Sequence, residues 1–349
     1  MHSHSREGSY AHLPASRRRA APDVRQIAAE AATGAGAILV VPLNASRAAT
    51  RRRIRDKGTN RGHGGVFPPR PAPAKGKQTH MSRAPHETVF VPHLYDEELV
   101  PLIFAPYAPD LAARVAARPA TSVLEIAAGT GVLTRELAER LPAGATIVAT
   151  DLHQPMLDCA MRVGTDRAVE WQQADALQLP FANRTFDVVV CQFGVMFFPD
   201  KARAFSEARR VLRPGGALVF NVWDRIEEND FANGVTDALA SLFPNDPPRF
   251  LPRVPHGYFD LGLIRRDLAA GGFNGKPDIE TVTTRGPATL PRVPALAYCL
   301  GTPLRAEIEM RNLSGLEAAV DAADALIAER LGDGPVEGRL RAHVVVVET

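Results

Sequence analysis

The chain has 349 residues, of which 45% are hydrophobic and 23% charged, enough for one large α/β domain with additions. No run of about 18 apolar residues occurs, so no membrane span is predicted. The formal net charge is only +2.

That near-neutral total hides an asymmetry. Residues 1–80 carry 15 Lys and Arg against 4 Asp and Glu, leaving 26 basic and 35 acidic residues for the remainder. The leading segment contains Arg17-Arg18-Arg19 and Arg51-Arg52-Arg53, a Pro- and Gly-rich run from Gly62 to Lys77, and one short apolar patch from Ile38 to Leu43. Such a composition predicts a basic extension with little ability to bury a core. It reads as a nucleic-acid arm, an Arg-rich transit peptide, or an over-extended gene start upstream of Met81. Without interleaved aromatic residues or a recognisable binding module, nucleic acid is the disfavoured partner. The three cysteines, Cys159, Cys191 and Cys299, are widely spaced with no C-x-x-C. Their number and spacing fit a reducing, cytoplasmic setting and argue against a disulfide framework or a zinc site.

From Met81 the chain becomes orderly. Tyr95 to Phe104 and Asp110 to Ala117 have helical apolar spacing, interrupted by Pro101 and Pro106, and predict two short helices. The stretch Val123 to Gly131, Val-Leu-Glu-Ile-Ala-Ala-Gly-Thr-Gly, reads as a buried strand turning sharply into a helix from Thr130 to Leu141. Gly129 and Gly131 can adopt backbone angles closed to other residues and let a ligand lie against the main chain. The carboxylate of Glu125 selects that ligand. It would repel the pyrophosphate of a dinucleotide lying over the helix N-terminus and attract an ammonium or sulfonium group. Ala145 to Thr150 reads as a second strand that delivers Asp151, placed to accept hydrogen bonds from ribose hydroxyls.

At these residues the chain resembles the class I S-adenosylmethionine-dependent methyltransferases. The family's first motif, E/D-x-G-x-G-x-G, is represented by Glu125, Ala127, Gly129 and Gly131, with Ala127 a departure that is tolerable at negative φ. The dinucleotide pattern G-x-G-x-x-G fits less well, since its third small position falls on Thr134. The resemblance implies S-adenosyl-L-methionine as donor. It also implies that the helices around Tyr95 and Tyr107 cover the cofactor and part of the acceptor pocket, although either tyrosine also reads as ordinary packing.

Gln154 to Val163 predicts a helix with proline in its first turn. Between it and Asp151, Leu152 is a candidate cofactor-binding residue, and His153 could edge the adenosine pocket, a solvent-facing histidine at a helix start being the plainer reading. Val169 to Gln173 is the third strand, and in the resembled family an acidic residue beyond it commonly meets the adenine. Asp175 and the backbone of Ala176 are placed for that, and a loop-capping role for Asp175 is the plainer reading.

Phe186 to Cys191 reads as a central parallel strand. Gln192 and the apolar loop after it should lie over the methyl group, because open α/β sheets bind ligands beyond the carboxyl ends of their strands. The D/N-P-P-Y/F motif of amino-directed nucleic-acid methyltransferases is absent. An apolar wall of Phe193, Met196 and Phe197 suits a small or medium-sized, partly hydrophobic acceptor. Lys201 to Leu212, the Leu-Arg-Pro-Gly-Gly turn and Ala217 to Val222 match the family's late motif.

Beyond Trp223 the expected elements are helices at Phe231 to Leu242, Ile264 to Ala270, Val293 to Leu300, Pro303 to Arg311 and Leu316 to Leu331. Strands are expected at Ile279 to Thr284 and Ala342 to Val347. The resemblance implies a Rossmann-like, seven-stranded, mostly parallel sheet in the order 3-2-1-4-5-7-6, its last strand antiparallel, with helices on both faces and a helical lid. Residues 81–349 form the expected methyltransferase domain, with lid and acceptor elements within 224–312. Trp223, Tyr258, Tyr298 and Arg305 are candidate liners, and His256 is the weak candidate for a catalytic base, a partly exposed surface histidine being the plainer reading. The expected chemistry is in-line methyl transfer. An adenosylmethionine-binding protein without catalysis and a nucleic-acid methyltransferase using the basic arm are the alternatives.

Overall fold

The computed structural model describes residues 92–349. The basic segment 1–80, its Ile38 to Leu43 patch and the Met81 boundary lie outside the described residues.

Seven strands form one sheet: β1 Ser122–Ile126, β2 Thr146–Asp151, β3 Glu170–Gln173, β4 Phe186–Gln192, β5 Leu212–Trp223, β6 Asp278–Ala288 and β7 Val336–Glu348. Their order is β3-β2-β1-β4-β5-β7-β6. The first five pair in parallel, while β7 runs antiparallel to both β5 and β6, as expected. Parallel strands buried on both faces read as continuous apolar runs, and Val188, Val189, Val190 and Cys191 of β4 are all at most 1% exposed.

On one face, helices α1 (Ala108–Ala116) and α2 (Val132–Arg140) set Leu111, Val115, Leu133 and Leu137 against Val123, Val188 and Val190. That layer holds the glycine-rich turn rigidly under the sheet's carboxyl edge. The other face is covered by α4 (Lys201–Val211) and a helical layer comprising α5 (Asp230–Leu242), α8 (Arg292–Gly301) and α10 (Leu316–Leu331). Helices α3 (Gln154–Val163), α6 (Phe250–Arg253), α7 (Leu261–Ala270) and α9 (Leu304–Arg311) complete the described elements used below.

Three boundaries differ from expectation. Strands β6 and β7 span 11 and 13 residues, because polar residues alternate with buried ones along their outer portions and dilute the apolar signal. Strand β5 begins at Leu212, not Ala217. Leu212 pairs with Phe186 and Ala217 with Val188, so the Arg-Pro-Gly-Gly segment is looped out within the strand, with Gly215 at φ +77°. The helix before α1 is a π-helix, Tyr95–Phe104, that continues through Pro101, and Ala105 N–H closes the wide turn on Val100 O at 2.8 Å.

Among the described residues no single helix is long and apolar enough to cross a membrane. The π-helical segment and α1 together are apolar enough, but they meet at 71° and their apolar faces are buried in the core.

Candidate functional site

The carboxyl ends of β1 and β4 meet at a small pocket lined by Tyr95, Phe104, Glu125, Ala127, Thr130 and Gln192, among others. Glu125 enters it from β1 and is 1% exposed. Thr134 Oγ1 donates to Glu125 Oε2 at 2.6 Å, fixing the carboxyl from the first turns of α2. Burial pushes the Glu125 carboxyl up to about 8, opposed by the Thr134 hydrogen bond and by the positive charge of Arg135, with Asp151 adding a small further rise. A group in that condition gains most from a cationic neighbour.

The turn after β1 shows why small residues are required. Gly129 and Gly131 lie at φ +58° and +84°, and a Cβ built on Gly131 would sit 3.0 Å from the Trp171 ring. Ala127 corrects the expectation of negative φ: it sits at +55°. Its methyl is accommodated because residue 194 is glycine, where a Cβ would lie 2.5 Å from Ala127 Cβ and 2.7 Å from Cys191 Sγ. The departure from the family motif is therefore matched by a compensating residue in the loop after β4.

Asp151 closes β2. Its Oδ2 accepts from Gly129 N–H and its Oδ1 from His153 N–H, both at 2.9 Å. Burial pushes its carboxyl up to about 6 against these backbone donors. Each oxygen keeps a further lone pair. Next to it Leu152 is 43% exposed. His153 is half-buried, not fully solvent-facing. Asp175 is exposed at the end of β3 and accepts from Leu177 N–H at 2.8 Å, which is the loop-capping arrangement. Ala176 is buried beside it.

Two buried oxygens on the cavity wall, Thr130 Oγ1 and Gln192 Oε1, have no hydrogen-bond partner. An orphaned amide oxygen and an orphaned hydroxyl beside a buried carboxyl group that a cation would ionise, over a glycine cradle, fit a cationic amino-acid group on the ligand. Tyr95 packs over Gly129 and stacks on Phe104 at 5.2 Å, so the π-helix roofs the site.

The comparisons agree with this geometry. A family described as methyltransferase domain matches residues 124–220. A demethylmenaquinone methyltransferase of Thermus thermophilus is 44% identical over 170 residues, covering 46% of this chain and 77% of that protein. The chain belongs to the class I S-adenosylmethionine-dependent methyltransferases. A ubiquinone/menaquinone biosynthesis C-methyltransferase of Ralstonia pickettii is 34% identical, covering 46% of this chain and 71% of the relative. A Mycobacterium bovis protein described as uncharacterized is 37% identical over 123 residues, and there the methyltransferase chain spans 44% of the relative's length against 35% of its own.

Of the residues expected to line an acceptor pocket, the structure brings only some together. Phe193 stacks on Trp223 with centroids 3.8 Å apart, and the Tyr107 ring meets both edge-on at 5.2 and 5.5 Å. Phe193 lies at φ +52°, held by Asn221 Oδ1, which accepts its N–H at 2.9 Å. Met196 is buried behind them, its Sδ facing Trp223 N–H at 3.3 Å. Phe197 is 37% exposed.

Tyr258 is engaged in packing: its hydroxyl donates to Asp267 Oδ2 at 3.0 Å and Lys201 lies over its ring, so it joins α4 to α7. Tyr298 is buried in α8, and Arg305 pairs with Glu309 within α9.

His256 corrects the expectation of a surface histidine, being 4% exposed beside Trp223. Its Nδ1 lies 2.9 Å from the Asp224 carbonyl oxygen, and that contact requires the proton on Nδ1. Burial lowers its pKa to about 4, so the ring is neutral at physiological pH with an Nε2 lone pair. It does not line the cavity. Asp224 is itself held by Arg341 and His343 at 3.1 and 3.2 Å.

Thr130, Thr134, Phe104 and Asn221 were not singled out from sequence. A threonine at the third position of the helix after an acidic strand end was the one readable sign, because Thr134 can reach back to Glu125.

Proposed function

We propose that the protein transfers the sulfonium methyl of S-adenosylmethionine to a small or medium-sized, partly hydrophobic acceptor by direct in-line displacement. The observation that carries this reading is the buried Glu125 beside the unpartnered Thr130 Oγ1 and Gln192 Oε1, over the glycine cradle. When bound, the donor supplies an activated methyl on a positively charged sulfur. Glu125 and Gln192 accept from the donor's ammonium, Asp151 accepts from its ribose hydroxyls, and Leu152 with the Asp175–Ala176 loop flanks its adenine. The π-helical roof and the Phe104, Tyr107, Phe193 and Trp223 rings exclude water and align the acceptor, so positioning supplies most of the rate. The names of the Thermus and Ralstonia relatives make a quinone-type ring one acceptor to include in assays.

Residues 81–349 are assigned as the catalytic domain, with 224–312 carrying lid and acceptor elements. The test is transfer of a tritiated methyl group to pooled phenolic, quinol, amine and fatty-acid acceptors, with full-length and Met81-start proteins compared. Saturable binding of S-adenosylhomocysteine without any transfer would instead favour a binding protein. Loss of transfer in the Met81-start protein would restore a role for the basic arm.

A further inference from the structure

Lys201 opens α4, directly after the Asp200 N-cap, and no acidic residue lies in that first turn. A cation is poorly placed there, because the helix dipole presents its positive end. The ammonium is used elsewhere. Lys201 Nζ donates to Phe198 O at 2.8 Å and to Met196 O at 3.2 Å, and it lies 4.8 Å from the centre of the Tyr258 ring. An ammonium has three N–H donors and no acceptor, and two carbonyls with one aromatic face match that set.

The two carbonyls flank Phe197 in the loop after β4, whose short 3-10 turn spans Val195–Phe197. Inside the turn, the N–H groups of Phe197 and Phe198 donate back to Gly194 O and Val195 O, which leaves the Met196 and Phe198 carbonyls to Lys201. The Met196 side chain holds the same turn from its other side, with Sδ 3.3 Å from Trp223 N–H. The seat of the ammonium comes from far along the chain. Tyr258 follows α6, and Asp267 of α7 accepts from its hydroxyl through Oδ2 at 3.0 Å while Arg266 Nε lies 3.7 Å from Oδ1.

We propose that Lys201 is a positioning residue for methyl transfer: by pinning the carbonyls on either side of Phe197 it sets the loop after β4 against the acceptor, and loss of its proton loosens that loop. This inference rests on the small-molecule methyltransferase reading and adds a residue that acts through the loop, not on the reacting atoms. Burial lowers the Lys201 ammonium below its ordinary 10.5, opposed by the charges of Asp267 and Asp200. Asp200, Asp267 and Arg266 carry the same charge throughout the alkaline range. Burial, and after it the Asp267 charge, raise the Tyr258 hydroxyl above its ordinary 10, so it keeps its proton while Lys201 titrates. The neutral amine still has N–H donors, but it lacks the charge that strengthens them and draws the group onto the ring.

The test uses the full chain saturated with S-adenosylhomocysteine, with carbon-13 in the methionine methyl groups, followed by NMR from pH 7 to 10.5. The Met196 resonance, identified by its absence from Met196→Leu, should shift in a single transition centred below the ordinary lysine value. Lys201→Arg keeps a cation that does not titrate in this range, so the shift should vanish there. In Lys201→Leu the resonance should stand near its alkaline position already at pH 7. A second arm measures tritiated methyl transfer at pH 7.5 to the phenolic, quinol, amine and fatty-acid pool. In Lys201→Leu, kcat/KM for the pool should fall at least about tenfold while KM for S-adenosylmethionine stays within about twofold, and Lys201→Arg should recover most of the loss. A Met196 resonance that ignores pH in the wild type, the same transition in the arginine variant, or donor and acceptor constants that worsen alike would each overturn the proposal. If the leucine variant does not fold, the wild type and the arginine variant decide it. Absence of transfer by the wild type with S-adenosylhomocysteine still bound counts against the catalytic reading instead, and the resonance then decides the clamp.

Discussion

Glu125 links cofactor binding to protons in a way that can be measured. Its carboxyl, normally near 4.5, is pushed up to about 8 by burial. The folded state therefore holds a proton that the unfolded chain has released, and stability falls as pH rises between those two values. At about 1.4 kcal/mol per pH unit the full loss approaches 5 kcal/mol, an upper figure because the site relaxes as it ionises. A cationic ligand reverses the preference by stabilising the carboxylate. Between pH 6 and 7.5, below the usual range of an α-amino group at roughly 7.7–8.0, the Kd for S-adenosylmethionine should drop about tenfold per unit. Calorimetry in buffers of different ionisation heat should show release of close to one proton per ligand at pH 6.5. In Glu125→Gln the proton release should vanish and affinity should fall by about 10- to 100-fold, the worth of a hydrogen bond to a charged group. The unliganded variant should also melt higher than wild type above pH 8. A Kd independent of pH in the wild type, or the same pH dependence in the glutamine variant, would refute this reasoning.

Other outcomes follow from the same site. Gly194→Ala should destabilise by about 1–3 kcal/mol, because the new methyl collides with Ala127 and Cys191; adding Ala127→Gly should recover part of the loss, and a double-mutant cycle by chemical denaturation measures the coupling. Asp151→Asn places an amide N–H against either Gly129 N–H or His153 N–H, so S-adenosylhomocysteine affinity should fall at least tenfold by calorimetry while the fold persists. Because His256 is held near 4, it stays neutral from pH 6 to 9, and the kcat profile should show no limb near 6.5 that disappears in His256→Gln.

Much of this protein was legible in its sequence because the relevant physics is local. A parallel strand buried on both faces needs an apolar run, a ligand lying against the backbone needs glycine, and a cationic donor needs a carboxylate at the strand end. Val123 to Gly131, Asp151 and the run from Phe186 to Cys191 carry those demands within a few residues, so these strands and the donor could be inferred without coordinates, and the sheet order came from the family resemblance those residues carry. Tertiary structure alone decided what depends on residues far apart in the chain. Ala127 is tolerated at positive φ because Gly194, 67 positions later, makes room for it. Tyr258 belongs to the packing of α4 on α7, and His256 is buried beside Trp223. Lys201 meets the ring of Tyr258, 57 positions later, only because that packing brings the two together, and such contacts are set by the fold of the whole chain.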